Sequence, residues 1–182
     1  MKGMIFTEFL DLVEEQFGLG VVQTMINTSD CTDGGAYTAV GTYDHKELVR
    51  MVSNLSTTVD VPVSTLLQTF GKRTFKHLAD GHPALMPTSG DLFSFLESID
   101  AVIHEEVRKL YPDAALPSLV PTRTGEELTL EYKSPRCLAD VAEGLLYGSF
   151  EYFDEQVALK KEDLSSGKNS HVRFTIYPRK HV

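Results

Sequence analysis

The apolar residues of this chain change their spacing once, near residue 112. Before that point they recur every three or four positions, the spacing of helices that bury one face. This pattern predicts helices over 5–17, 21–26, 44–58, 63–78, 91–97 and 99–110, with the stretch GHPALMPTSG (81–90) as a break. Gly18 is expected to end the first helix, and Asp44 is a favourable N-cap for the third.

Beyond Pro112 the apolar positions alternate. Leu128, Leu130 and Tyr132 alternate within EELTLEY and predict a strand. Helical spacing returns over 136–157, and HVRFTIYP at the end predicts another strand, with VALKKEDL as its hairpin partner across the turn GKNS. This order predicts an α+β fold, in which a helical N-terminal part precedes a small antiparallel sheet interrupted by one long helix.

Composition narrows the class of protein. The 182 residues are 42% hydrophobic and 24% charged, which suits one globular core. The net charge of −9 argues against nucleic acid as a partner, and no apolar run approaches the ~20 residues that span a bilayer. The start lacks the features of a signal peptide, and the only cysteines are Cys31 and Cys137. We therefore expect a cytoplasmic protein with neither a membrane nor a nucleic-acid partner.

The segment EYKSPRC (131–137) is the most specific chemical pattern. Tyr132, Ser134 and Arg136 alternate at the end of a predicted strand, so their side chains point the same way. All three donate hydrogen bonds, and the planar guanidinium of Arg136 suits a carboxylate or a phosphate. The pattern predicts an anion site; the alternative is a surface strand end whose arginine pairs with a nearby acid.

The histidines are less informative. His104 lies at the edge of an apolar helical stripe in SIDAVIHEEVRKLY, where most histidines have a structural role. His77 and His82 would need a third ligand to hold a metal ion. The run His104-Glu105-Glu106 lacks the second histidine of a zinc-protease motif.

Four segments in order, MKGMIFTEFLDLVE, IDAVIHEEVRKLYP, EYKSPR and AEGLLYG, resemble the haem nitric oxide/oxygen-binding (H-NOX) family, the haem domain also found in soluble guanylate cyclase. The resemblance spans nearly the whole chain. It implies a single haem-binding domain over 1–182, with an N-terminal helical subdomain over 1–60 and the haem-ligating helices and sheet over 61–182. It also implies that Tyr132, Ser134 and Arg136 bind the propionates of a buried haem b, and that His104 is the axial ligand of its iron.

The resemblance further implies which side chains line the haem pocket. Pro117 would press against the porphyrin and help to hold it out of plane. The distal side would be lined by Ile5, Phe9, Thr74, Phe75, Leu78, Val141 and Leu145. Each apolar position among these is equally well explained as helix core.

The hydrogen-bond donors of the distal pocket determine which gas we expect the haem to bind. Family members that hold oxygen stably carry a distal tyrosine where this chain has Val141, and bound O₂ depends on such a donor more than NO does. Thr74 is only a weak substitute. An apolar pocket therefore favours NO and CO over O₂. A zinc site near the C-terminus, present in some members, is not expected, since Cys137 is the only cysteine beyond Cys31.

Together these implications predict a ferrous-haem sensor of nitric oxide and not an enzyme. We expect no output domain within these 182 residues, so the signal would pass to a separate protein, by resemblance a histidine kinase or a cyclic-di-GMP enzyme. Release of His104 and relaxation of the haem would carry the signal. The alternatives are an O₂ or general diatomic-gas sensor with the same fold, and an anion-binding interaction module without haem.

Overall fold

The computed structural model describes residues 1–83, 86, 90–112 and 114–179. The helices before the sheet are α1 (Gly3–Phe17), α2 (Leu19–Thr28), α3 (His45–Val59), α4 (Val63–Gly81), α5 (Leu92–Ser98) and α6 (His104–Leu110). The strands are β1 (Ser118–Thr124), β2 (Glu127–Ser134), β3 (Val157–Asp163) and β4 (Ser170–Pro178), and α7 (Ala139–Tyr152) lies between β2 and β3. The predicted α+β order is confirmed. Within the described ranges, no helix is long and apolar enough to cross a membrane.

Most predicted helix ends agree with the structure. Gly18, with a φ of 83°, ends α1 and donates its N–H to the carbonyl of Glu14, and the Asp44 side chain accepts from the Lys46 N–H at the start of α3. The helix predicted over 136–157 was too long at both ends. Leu138 and Val157 are half-buried and buried, as the helical spacing suggested, but neither residue is helical. Part of the predicted break over 81–90 lies outside the described residues.

The strands form one antiparallel sheet in the order β1-β2-β4-β3. Leu128 pairs with Ile176 and Leu130 with Phe174, and all four side chains are fully buried on the inner face. The strand β1 was missed from the sequence, since its burial does not alternate and it contains Pro121. Proline is tolerated there because β1 is an edge strand.

Helix α4 connects two hydrophobic clusters. Its first half contributes Leu66, Leu67 and Phe70 to a cluster formed mainly with α1, α2 and α3. Its second half contributes Phe75 and Ala79 to a cluster that contains α5, α7 and the inner face of the sheet. The site described below lies where these two clusters meet.

Helices α4 and α7 pack with their backbones in direct contact. A Cβ atom at Gly71 would overlap the carbonyl oxygen of Val141, and one at Gly144 would overlap that of Gln68. Only glycine permits such a close approach. On the sheet side of α7, Lys161 of β3 binds the buried carboxylate of Glu143 at 2.9 Å. These contacts fix the helix that carries Val141 and Leu145.

Candidate cofactor-binding site

A cavity of about 340 Å³ lies between the helices and the sheet. Its walls come from α1, α4, α5, α6, α7, the inner face of the sheet and the segment before β1, and they are predominantly apolar. The volume falls within the range of roughly 300–1,000 Å³ that is usual for small-molecule and cofactor sites.

The structure brings most of the predicted pocket residues to this cavity. The predicted pocket side chains that line it are Ile5, Thr74, Phe75, Leu78, Pro117, Val141 and Leu145. Phe9 is not among the side chains that line it. Phe9 is 1% exposed and packs edge to face on Phe70, with ring centroids 5.4 Å apart, and it is Phe70 that contacts the cavity. Phe9 therefore supports the wall from behind.

The hydroxyl groups that α4 and α7 contribute to the cavity are already engaged as donors. The hydroxyl of Thr74, which is 5% exposed, donates to the carbonyl of Phe70 at 2.9 Å. The buried hydroxyl of Ser149 donates to the carbonyl of Leu146 at 2.7 Å. A hydroxyl has a single hydrogen to donate, so neither group offers a donor to a guest in this arrangement.

His104 is the first residue of α6, and it lines the cavity. Its side chain is 12% exposed, and its Nδ1 lies 2.8 Å from Oδ1 of Asp100, four residues earlier. A carboxylate accepts, so Nδ1 donates and the neutral ring keeps its lone pair on Nε2. This arrangement is that of an imidazole prepared to ligate a metal ion, with an outer partner that fixes its tautomer and orientation.

Tyr132, Ser134 and Arg136 lie together at the polar end of the cavity. Tyr132 and Ser134 share the buried face of β2, whereas Lys133 between them is exposed. Burial raises the pKa of the Tyr132 phenol, and its hydrogen bond with Ser134 opposes that shift. The Arg136 N–H donates to the hydroxyl of Ser134 at 3.1 Å, and its Nη1 donates to the carbonyl of Ala115 at 2.9 Å. The bond to Ala115 orients the guanidinium beside the cavity.

The other candidate histidines do not form a metal site with each other. His77 pairs with Glu8 of α1, with 3.4 Å between Nε2 and Oε1. His82 lines the cavity instead. No group of three or more potential ligands from His, Cys, Asp and Glu occurs within the residues that the structure describes.

Several lining residues were not predicted. They include Met4, Phe70, Ile99, Ile103, Leu146 and Ser149. Helical spacing identified most of the apolar members as core, but spacing alone does not separate a residue that faces a cavity from one that faces another side chain. Nothing in the sequence indicated that Ser149 lines the cavity; its hydroxyl bonds to the carbonyl of Leu146 in the same helix.

The residues present fit a haem. The large macrocycle requires apolar walls, its iron requires a neutral imidazole nitrogen, and its two carboxylates require donors at one end of the site. The apolar walls, His104 with its Nδ1 held by Asp100, and the group Tyr132, Ser134 and Arg136 meet these requirements. The site is therefore of the haem-binding class.

Comparisons with known proteins identify the family of the chain. The family model described as Haem-NO-binding matches residues 2–161. The chain is 39% identical to the H-NOX protein from K. algicida, solved as Fe(II) unliganded, with a TM-score of 0.93 over 100% of this chain and 98% of that one. It is 28% identical to the H-NOX protein from S. oneidensis, solved in the Fe(II)NO ligation state, with a TM-score of 0.87 over 99% of this chain and 100% of that one.

A T. tengcongensis H-NOX variant shares the fold at 21% identity, with a TM-score of 0.87 and complete coverage of both chains. A comparison with curated proteins found no match. The chain belongs to the haem-NO-binding, or H-NOX, family, whose members are gas-sensing haem domains. The predicted family is confirmed.

Proposed function

We propose that this protein is a ferrous-haem sensor of nitric oxide that also binds CO and signals to a separate protein. The observation that supports NO over O₂ is the state of the donors on the walls that α4 and α7 contribute to the cavity. Val141 offers none, and the hydroxyls of Thr74 and Ser149 are committed to the carbonyls of Phe70 and Leu146. Bound O₂ carries partial negative charge and needs a donor more than NO does.

In this proposal each group of side chains has a separate role. Bound haem b would supply a ferrous iron with an open coordination position for a diatomic gas. His104 would ligate this iron through Nε2, and Asp100 orients the imidazole through Nδ1. Tyr132, Ser134 and Arg136 bind the propionates at the polar end, where Arg136 adds a permanent charge. Apolar side chains, among them Ile5, Phe75 and Leu145, exclude water from the gas position.

The test is the absorption spectrum of the purified ferrous protein. We expect a Soret band that is the same under argon and in air, and that shifts when NO or CO is added. A stable air-dependent spectrum would support the oxygen-sensor alternative instead. A protein without a Soret band, even after haem is supplied, would support the anion-binding module without haem.

Val141→Tyr sharpens the test, because it would place a phenol on the wall from which a donor is missing. We expect the variant to gain an air-dependent spectral change that the wild type lacks, with NO binding retained. Val141→Phe is the matched control, since it adds the ring without the hydroxyl. A response of equal size in both variants would show that pocket volume, and not hydrogen bonding, selects the gas.

The proposed output is a change in a separate signalling protein. Among candidate partners we favour a histidine kinase or a cyclic-di-GMP enzyme, on the basis of the family resemblance. The expected result is that partner activity differs between the NO-free and NO-loaded protein. That difference should be absent in His104→Ala, because release of His104 is the proposed signal. A response to NO that survives in His104→Ala would contradict this route.

A further inference from the structure

The helical segment that carries His104 changes its hydrogen-bond register directly before this residue. Between α5 and α6 lies a π turn over Ile99–Ile103, and the His104 N–H donates to the carbonyl of Ile99, five residues earlier. An α-helix would use the carbonyl four residues earlier. Single π turns within α-helices are rare and often lie at functional sites.

The extra residue of this turn lies on the solvent side. Ala101 is exposed and Val102 is 51% exposed, whereas Ile99, Ile103 and His104 line the cavity. Packing of Ala101 and Val102 in the hydrophobic core therefore does not stabilise the π turn, because both side chains are exposed. The contacts that depend on the π register are those of His104 and the residues after it.

The turn aligns His104 with Ile99 on the cavity side of the helical segment. Successive residues of an α-helix are about 100° apart around the axis, so the residue nearly above Ile99 in an unbroken α-helix is Ile103. The π turn inserts one more residue before His104 and brings its imidazole back to the cavity side. Closing the turn to the α register would rotate α6 by about 100° relative to α5.

We propose that the Ile99–Ile103 π turn is a positioning and release device for His104. While His104 ligates the iron, the turn stays wide; when His104 is released, the turn closes to the α register and α6 rotates. This inference rests on the proposed function, and it specifies how loss of one ligand bond becomes a movement at the surface. The rotating surface carries Glu105 paired with Arg108 and Glu106 paired with Lys109.

Deletion of Ala101 separates positioning from switching. Without this exposed residue, His104 follows Ile99 by four positions and faces the cavity in an ordinary α register. We expect the deletion variant to keep haem and to bind NO, but to show no rotation of α6. Val102→Ala is the matched control, because it changes the neighbouring exposed residue and keeps the number of residues in the turn.

The rotation can be measured as a distance between spin labels at Gln23→Cys on α2 and Lys109→Cys on α6, with Cys31 and Cys137 replaced by serine. We expect NO to shift this distance by on the order of 5 Å in the wild-type background and in Val102→Ala, given a helix diameter of about 10 Å. We expect no shift in the deletion variant.

A wild-type background whose spectrum responds to NO while the label distance stays constant would overturn the π-turn proposal and leave the proposed function intact. An equal shift in the deletion variant would also overturn it. If the deletion variant does not fold, crystal structures of the wild type with and without NO decide. The His104 N–H should then donate to Asp100 in the NO complex and to Ile99 without NO, and a bond to Ile99 in both would contradict the proposal.

Discussion

Helices α4 and α7 meet backbone to backbone along one part of the cavity wall, whereas the segment Ile99–Leu110 that carries His104 changes register within a single turn. Glycine at positions 71 and 144 allows the first arrangement. In the segment Ile99–Leu110, the π turn contains no buried residue, and the helix α6 that follows the turn is short and heavily charged.

This difference assigns different tasks to the two parts. The α4–α7 wall has little freedom to move, because any separation of the helices opens the contact between their backbones. It is therefore suited to keep the gas pocket apolar and constant in shape. The Ile99–Leu110 segment has few buried contacts to lose, which is typical of elements that move in a switch. Under the proposal above, a fixed pocket beside a movable segment that carries the iron ligand would turn gas binding into a movement of one helix.

The largest expected effect is on the mobile part, and His104→Ala tests it. The variant should lose the iron–histidine vibration of the ferrous protein completely and regain it when free imidazole is supplied, because the substitution leaves a space of imidazole size. Resonance Raman spectroscopy of the ferrous state measures both results. His77→Ala is the control, since His77 is half exposed and pairs with Glu8 rather than lining the cavity. An unchanged vibration in His104→Ala would exclude His104 as the ligand.

The rigid part is tested by Gly144→Ala. The new methyl group would overlap the carbonyl oxygen of Gln68, so the helices must separate. Overpacking of this kind costs about 1–3 kcal/mol. The matched control is Gly20→Ala in α2, where a methyl group meets nothing within 4 Å and should stabilise the helix by up to about 1 kcal/mol. Urea denaturation of both variants measures the free energies of unfolding, and equal values would contradict the close backbone contact.

These two parts were not equally predictable from the sequence. The strands β2 and β4 were predicted because alternate burial of Leu128, Leu130, Phe174 and Ile176 follows from the two-residue period of a sheet. The π turn was not predicted, because IDAVIHEEV has ordinary helical spacing on either side of it and the register of a hydrogen bond leaves no mark in composition.

The candidate site shows the same limit. Alternation placed Tyr132 and Ser134 on one face, but the orientation of Arg136 depends on the carbonyl of Ala115, which lies 21 residues away in the chain. Phe9 has the same helical spacing as Ile5, yet it faces Phe70 rather than the cavity. Long-range contacts of this kind require the folded structure.

A smaller effect is expected at the polar end of the cavity, between the rigid and the mobile parts. Arg136→Ala should speed haem loss more than Ser134→Ala, because hydrogen bonds to charged groups contribute about 1.5–3 kcal/mol and neutral ones about 0.5–1.5 kcal/mol. Transfer of haem to an excess of an acceptor protein measures the rates. Lys133→Ala is the control, since Lys133 lies between these residues in sequence and points to the opposite face. Equal rates for Arg136→Ala and Ser134→Ala would contradict a propionate clamp centred on Arg136.

The smallest effect concerns the outer face of the sheet, which belongs to neither part. Glu131 accepts from Arg173 at 2.8 Å and from His171 at 3.1 Å, and these bonds lower the pKa of its carboxyl from 4.5 to about 2. A lowered pKa in the folded state means that the carboxylate stabilises the fold above about pH 4.5 and that this contribution is lost as the pH falls towards 2.

Glu131→Gln should therefore flatten the loss of unfolding free energy between pH 4.5 and 2, and high salt should weaken the wild-type dependence, since the pair is solvent-exposed. Urea denaturation across this pH range measures it, with Glu127→Gln at the other end of β2 as the control. Because this network lies on the face opposite the cavity, the same variant should leave the ferrous spectrum and the NO response unchanged. A changed NO response in Glu131→Gln would mean that the sheet takes part in the response to NO. The division of the molecule into a fixed wall and one movable segment would then be wrong.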